Sequence, residues 1–163
     1  MILLGVGSNL PFGDMSSAQV IDAAIDVLHQ RNIRLLKKSH YYQTPPMGPP
    51  GQPDYVNAVF MVSAPYAPHA LLEKLHEVEA VFGRQRRVKW GARSLDLDLL
   101  DWHGRLIMKR PKLPHPGIGG RAFVLLPLHD VAPGWRHPLT GRSPREMLAK
   151  LNMRDKVLPK RLV

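Results

Sequence analysis

The run Leu95-Asp96-Leu97-Asp98-Leu99-Leu100 holds two carboxylates at i, i+2 in an otherwise apolar stretch. On a β-strand side chains alternate between faces, so a strand here sets Asp96 and Asp98 on one face and Leu95, Leu97 and Leu99 on the other. The two Cα atoms then lie roughly 6.5–7 Å apart. Carboxylates so placed repel each other unless a cation or a proton intervenes. Mg²⁺ suits the pair: it takes one or two carboxylates, keeps several waters and leaves positions for substrate phosphates. The same alternation also describes the solvated outer face of an amphipathic strand.

The residues just upstream favour the first reading. Arg84-Gln-Arg-Arg-Val-Lys-Trp-Gly-Ala-Arg93 carries five bases and no acid. Phosphoryl transfer needs carboxylates to hold a metal beside guanidinium groups that neutralise the transferring oxygens. Gly83 and Gly91 flank most of the segment and suit a lid that closes. The chain has no Gly-x-x-x-x-Gly-Lys-Ser/Thr loop and no Gly-x-Gly-x-x-Gly, so a nucleotide must be held mainly by side chains.

The elements that position these residues follow from periodicity. Ile2–Val6 reads as a strand ending in a turn at Gly7-Ser8-Asn9. Ser16 or Ser17 caps a helix to about Arg31, with Ile21, Ala24, Ile25 and Leu28 as its apolar stripe. Ile33–Tyr42 reads as a second strand with Lys37 and Lys38 solvated, and Asn57–Ser63 as a central one. Between them, residues 44–53 hold five prolines and two glycines, which forbid a helix or a central strand. A long loop inside one domain fits better than a linker, because neither flank can build its own core.

Pro68 starts a helix to Phe82 with Gly83 just beyond it, and Leu95–Trp102 is the next strand. His103-Gly104 suggests a hairpin returning through Arg105–Met108; short helices follow near Arg121–His129 and Pro144–Leu151. The order βαββαβ predicts an α+β fold of ferredoxin-like type, an antiparallel sheet with two main helices, plus a C-terminal hairpin and short helices, as one domain over 1–163.

Composition agrees. At 163 residues and 44% apolar content the chain suits one globular domain. The absence of cysteine excludes disulfides, thiol nucleophiles and thiolate metal sites. No apolar run approaches the roughly 18 residues that span a bilayer, and no signal-type N-terminus is present, so a cytoplasmic protein is expected. The net charge of +10 arises entirely beyond residue 60, where 19 bases face nine acids, and such a field attracts phosphate.

With these residues in view, the chain resembles the 6-hydroxymethyl-7,8-dihydropterin pyrophosphokinase family of folate biosynthesis. The resemblance rests on Lys89-Trp-Gly-Ala-Arg-Ser-Leu-Asp-Leu-Asp-Leu-Leu100, which fits the family signature without a gap. Gly7-Ser-Asn-Leu10, Thr44-Pro-Pro46, Gln52–Ala58, Leu113-Pro-His-Pro116 and Arg121–Leu128 follow the family's other blocks in order. The resemblance implies transfer of diphosphate from ATP to the pterin hydroxymethyl group with release of AMP, on a ferredoxin-like frame.

It implies further that Asp96 and Asp98 hold two Mg²⁺ ions and that Arg84 and Arg93 stabilise the phosphates during transfer. Trp90 matches a loop tryptophan that moves as the site closes over ATP. His76, Glu79, Arg110, Lys112, His115 and Arg121 match nucleotide-side positions. Tyr55 and Phe123 match a pair that stacks on the pterin, and Thr44, Pro45, Pro46, Met47 and Asn57 match the groups around its hydrogen-bonding edge. A flat bicycle with an amide-like edge suits such a slot. Glu79 falls at the margin of the apolar stripe of its helix and is expected to be partly buried and partnered. His76 stands where some members have glutamine, and Gly117-Ile-Gly-Gly120 is richer in glycine than the family's usual polar stretch.

The expected partners are ATP and 6-hydroxymethyl-7,8-dihydropterin, with no nucleic acid, no membrane and a monomeric state. Two rivals carry their own tests. An RNA-binding module suits the topology, the charge and Trp90, yet it lacks the aromatic-rich strand pattern, and its two aspartates would repel a phosphate backbone. A different ATP-dependent transferase on the same frame would release ADP in place of AMP.

Overall fold

The computed structural model describes residues 1–47, 50–83, 92–152 and 159–162. Its strands are β1 (Ile2–Ser8), β2 (Arg34–Lys38), β3 (Tyr42–Thr44), β4 (Tyr55–Ser63), β5 (Asp96–Trp102) and β6 (Lys160–Arg161). Its helices are α1 (Ser17–Gln30), α2 (Pro68–Val81), α3 (Ala122–Val131) and α4 (Pro144–Ala149), with a 3₁₀ turn at Ile118–Gly120. The sheet is antiparallel and runs β5-β1-β4-β3-β6, with β2 also paired to β4. The architecture is α+β. Among the described residues no helix is long and apolar enough to cross a membrane.

The helix ends follow their local chemistry. Ser16 caps α1 in a capping box with Gln19, whose side chain accepts the Ser16 N–H at 2.9 Å. Past α2, Gly83 adopts φ +72, the left-handed conformation that glycine adopts without steric cost. A Cβ at Gly83 would lie 3.2 Å from the Phe12 ring, which packs edge-to-face on Phe82 at 5.6 Å.

Two departures from the sequence expectation have physical causes. The single strand expected over Ile33–Tyr42 is broken after Lys38. Ser39 donates its N–H to Val59 O, while its hydroxyl accepts the Val59 N–H at 2.9 Å. A side chain thus takes a main-chain place, and β2 and β3 line up along different halves of β4. The expected return hairpin is absent. His103 and Gly104 do turn the chain, with φ 55 and 68, but Arg105–Met108 does not pair along β5, and Ile107 instead bridges to Leu113.

The alternation of β1 organises both cores. Ile2, Leu4 and Val6 face α1 and α2 in a cluster with Phe60, Leu71, Leu75, Leu97 and Leu99. Leu3 faces the other side, where Val59, Leu100 and the apolar residues of α3 and α4 form a second cluster. Each fully buried Leu, Ile or Phe contributes about 1.5–3 kcal/mol. The third short helix is therefore a packing layer, not a small addition at the edge. Its cover ends where β1 turns to glycine on that face: Gly5 and Gly7 line an open cleft.

Candidate active site

The cleft, about 330 Å³, begins at those glycines. In the β1–β5 register Gly7 lies opposite Asp96 and Gly5 opposite Asp98, and both carboxylates line the cleft. Leu95, Leu97 and Leu99 are buried in the core on the reverse face, so the alternation expected from the sequence holds. Glycine inside a strand marks a place where something approaches the backbone closely. Leu4-Gly5-Val6-Gly7 carries that signal in the sequence: Gly5 falls inside the strand expected over Ile2–Val6, whereas Gly7, expected in the turn that follows, belongs to β1, which runs to Ser8.

β5 is fixed from behind. The carboxylate of Glu79 on α2, 1% exposed, accepts the Leu97 N–H at 2.8 Å, between the two aspartates. Glu79 is fully buried where partial burial was expected, because α2 packs directly on β5. It holds the acid-bearing strand and does not line the cleft.

Arg93 is gripped through its main chain. Its N–H donates to Asn9 Oδ1 at 2.7 Å, and its carbonyl accepts from the N–H groups of Asn9 and Leu10. Its guanidinium pairs with Asp96 at 2.8 Å. The Asn9 side chain, 1% exposed, also donates to Gln52 Oε1 and Pro53 O. It ties the start of the arginine side of the cleft to the proline-rich loop. Sequence reasoning missed this tie, since nothing local joins positions 84 residues apart.

His115 enters the cleft from a loop anchored by its N–H to Leu100 O at 2.8 Å. Its Nδ1 accepts the Gly117 N–H at 3.0 Å, so the neutral ring carries its proton on Nε2 and presents a donor. Arg121 lies over the Phe123 ring at 5.8 Å. A Cβ at Gly117 would come within 2.9 Å of the Arg121 guanidinium, so glycine there makes the room.

At the opposite wall Asn57 Nδ2 donates to Thr44 Oγ1 at 2.8 Å, both residues being buried. Pro45, Met47, Tyr55 and Phe123 complete this end. One cleft thus gathers Thr44, Pro45, Met47, Tyr55, Asn57, Arg93, Asp96, Asp98, His115, Arg121 and Phe123. Pro46, His76, Arg110 and Lys112 stand outside its lining: Pro46 and His76 half-buried, Arg110 and Lys112 exposed. Arg84 and Trp90 lie outside the described residues.

Chemically, the cleft sets a carboxylate pair and cationic donors beside aromatic and amide groups. Among the described residues no group of three or more metal-ligating side chains occurs. Two carboxylates over a glycine floor suit a hard cation that keeps water and phosphate ligands, and not one enclosed by protein.

Residues 3–133 match the sequence model of the family described as 7,8-dihydro-6-hydroxymethylpterin-pyrophosphokinase. The chain is similar to the 2-amino-4-hydroxy-6-hydroxymethyldihydropteridine pyrophosphokinase of Methylorubrum extorquens, 38% identical over 91% of this chain and 92% of the relative. The protein of the same name from Pseudomonas aeruginosa is 39% identical over 91% of this chain and 90% of its own length. The folic acid synthesis protein fol1 of Pneumocystis carinii is 35% identical over 87% of this chain, a stretch that makes up 19% of that longer protein. Matches of this extent, over a chain whose cleft gathers the signature aspartates with the aromatic pair, place it in the 7,8-dihydro-6-hydroxymethylpterin-pyrophosphokinase family.

Proposed function

We propose that this cleft transfers diphosphate from ATP to 6-hydroxymethyl-7,8-dihydropterin, giving the pterin diphosphate and AMP in folate biosynthesis. One observation carries the reading: Asp96 and Asp98 line the same cavity as Arg93, Arg121 and His115 and as Thr44, Asn57, Tyr55 and Phe123. A triphosphate and a flat amide-edged acceptor can therefore meet beside the carboxylates.

The hydroxyl oxygen of the pterin bonds to the β-phosphorus as the bond from that phosphorus to the α,β-bridging oxygen breaks; the bridging oxygen leaves with AMP and the hydroxyl proton is released to water. The protein acts by placement and charge. Tyr55 and Phe123 hold the pterin rings, and Asn57, fixed by Thr44, reads the edge. Arg93 turns from Asp96 to the transferring oxygens, and Arg121 and the Nε2–H of His115 donate to the phosphates. Because His115 Nδ1 is occupied by Gly117, His115 serves as a donor and not as a general base. Glu79 keeps β5, and with it both aspartates, in register. Asp96 and Asp98 are the residues that would hold Mg²⁺, two ions in our reading; bound there, the metal neutralises phosphate charge. Arg84, Trp90, Arg110, Lys112 and His76 belong to the ATP side in the same reading, and Pro45, Pro46 and Met47 to the pterin side.

The strand order β5-β1-β4 with β2 and β3 on the far edge, and the crossovers through α1 and α2, support a ferredoxin-like core. We read the chain as a single cytoplasmic domain, monomeric and without a nucleic-acid or membrane partner. The test is incubation with ATP, Mg²⁺ and the reduced hydroxymethylpterin. AMP and the pterin diphosphate should form in equal amounts; ADP in place of AMP would overturn the reading.

A further inference from the structure

We propose that a second cavity, on the C-terminal side of the molecule, binds a small phosphoryl dianion. It measures about 220 Å³, below the roughly 300–1,000 Å³ of sites for drug-sized ligands, which suits a phosphate group and not a whole nucleotide. His137, Thr140, Arg142 and Lys150 line it, with buried Met147 and exposed Gly119.

The four polar side chains of the lining can all donate hydrogen bonds, two of them as cations: a guanidinium, an ammonium, a hydroxyl and an imidazole, with no carboxylate among the lining residues. Neither Arg142 nor Lys150 forms a salt bridge among the described residues. Glu146 on α4 accepts hydrogen bonds from Ser143 at 2.7 Å and Arg136 at 3.1 Å and is only a through-space neighbour of Arg142. His137 Nδ1 accepts the Leu139 N–H at 3.2 Å, which leaves the Nε2–H of the neutral ring as donor. Burial lowers the pKa of that ring, against a weaker pull from Asp101, and so favours the neutral form.

The wider charge pattern agrees. Residues 134–163 hold eight bases and two acids, more than half of the net +10. The chemistry of the main cleft makes no use of this segment. One chain segment contributes to both cavities: His115 and Arg121 line the main cleft, while Pro116 and Gly119 between them line the second, where a Cβ on Gly119 would touch Met147 Cε at 3.4 Å. The second site stands independently of the proposed reaction.

The test is a ¹⁵N NMR titration of the full chain with inorganic phosphate at constant ionic strength. The amides of Gly119, Leu139 and Gly141 should shift and saturate together. Arg142→Ala with Lys150→Ala should weaken that midpoint at least about tenfold, about 1.4 kcal/mol, because both charged donors are lost, while Gly7 and Arg93 in the main cleft titrate as before. Both residues are exposed, so the rest of the spectrum should be unchanged. Linear shifts without saturation, shifts confined to the main cleft, or an unchanged midpoint in the double variant would each overturn the proposal.

Discussion

Replacing Gly7 by alanine should separate stability from substrate binding. Gly7 has no positive φ, so alanine meets no backbone strain, and glycine within a strand costs about 0.5–1 kcal/mol relative to alanine. The new Cβ would lie 3.3 Å from Asn57 Oδ1 and 3.6 Å from Tyr55 Cδ1. Asn57 cannot retreat freely, because its Nδ2 donates to Thr44 at 2.8 Å in a buried setting. Loosening that bond costs about 1 kcal/mol. The two stability terms nearly cancel, so urea unfolding should move by less than about 1 kcal/mol in either direction. Pterin binding meets both the displaced Asn57 and a methyl group on the cleft floor, a loss of about 1–2 kcal/mol, which is roughly five- to thirtyfold in the pterin KM. The KM for ATP should stay within about twofold. Steady-state kinetics with each substrate varied, beside equilibrium unfolding, read both quantities. A folded Gly7→Ala enzyme with an unchanged pterin KM would refute the assignment of this wall to the pterin.

Other outcomes follow from the same geometry. Arg93→Ala should slow single-turnover transfer by more than about a hundredfold while ATP affinity falls by less than about tenfold, since the guanidinium rests on Asp96 before reaction. Equal losses in both would deny it a transition-state role. Asp98→Ala should abolish AMP release while the circular-dichroism spectrum is kept, because the carboxylate lines the cleft and stands clear of the core. The Tyr42 phenol is pushed up to about 12 by burial and by its hydrogen bond to Asp130. A raised phenol stabilises fully below its unfolded pKa, near 10.0, and the contribution disappears as pH rises through about 12. Wild type should thus lose about 2–3 kcal/mol from this group over that window, and Tyr42→Phe should lose correspondingly less in urea titrations at each pH.

What the sequence could and could not reveal divides by range. The common face of Asp96 and Asp98, the Ser16 cap and the left-handed Gly83 each depend on a few neighbouring residues, and periodicity or local turn chemistry exposes them. The break at Ser39 depends on Val59 across the sheet, and the grip on Arg93 depends on Asn9 at the end of another strand. Glu79 looked like a half-exposed ligand on its own helix; only the packing of α2 on β5 makes it a clamp on the strand that carries the aspartates.

The position of the cleft itself needs both kinds of information. Alternation predicts that Leu3, Gly5 and Gly7 share a face, but which end of that face is covered depends on α3, an apolar helix more than a hundred residues further on. α3 buries Leu3 and stops short of the glycines. The open floor lies where β5 presents its two carboxylates, because antiparallel pairing sets Gly5 and Gly7 opposite Asp98 and Asp96. A bulky side chain at Gly5 or Gly7 would fill the space between the acid pair and the opposite wall. The absence of side chains on β1 is therefore as much a part of the site as the acids on β5.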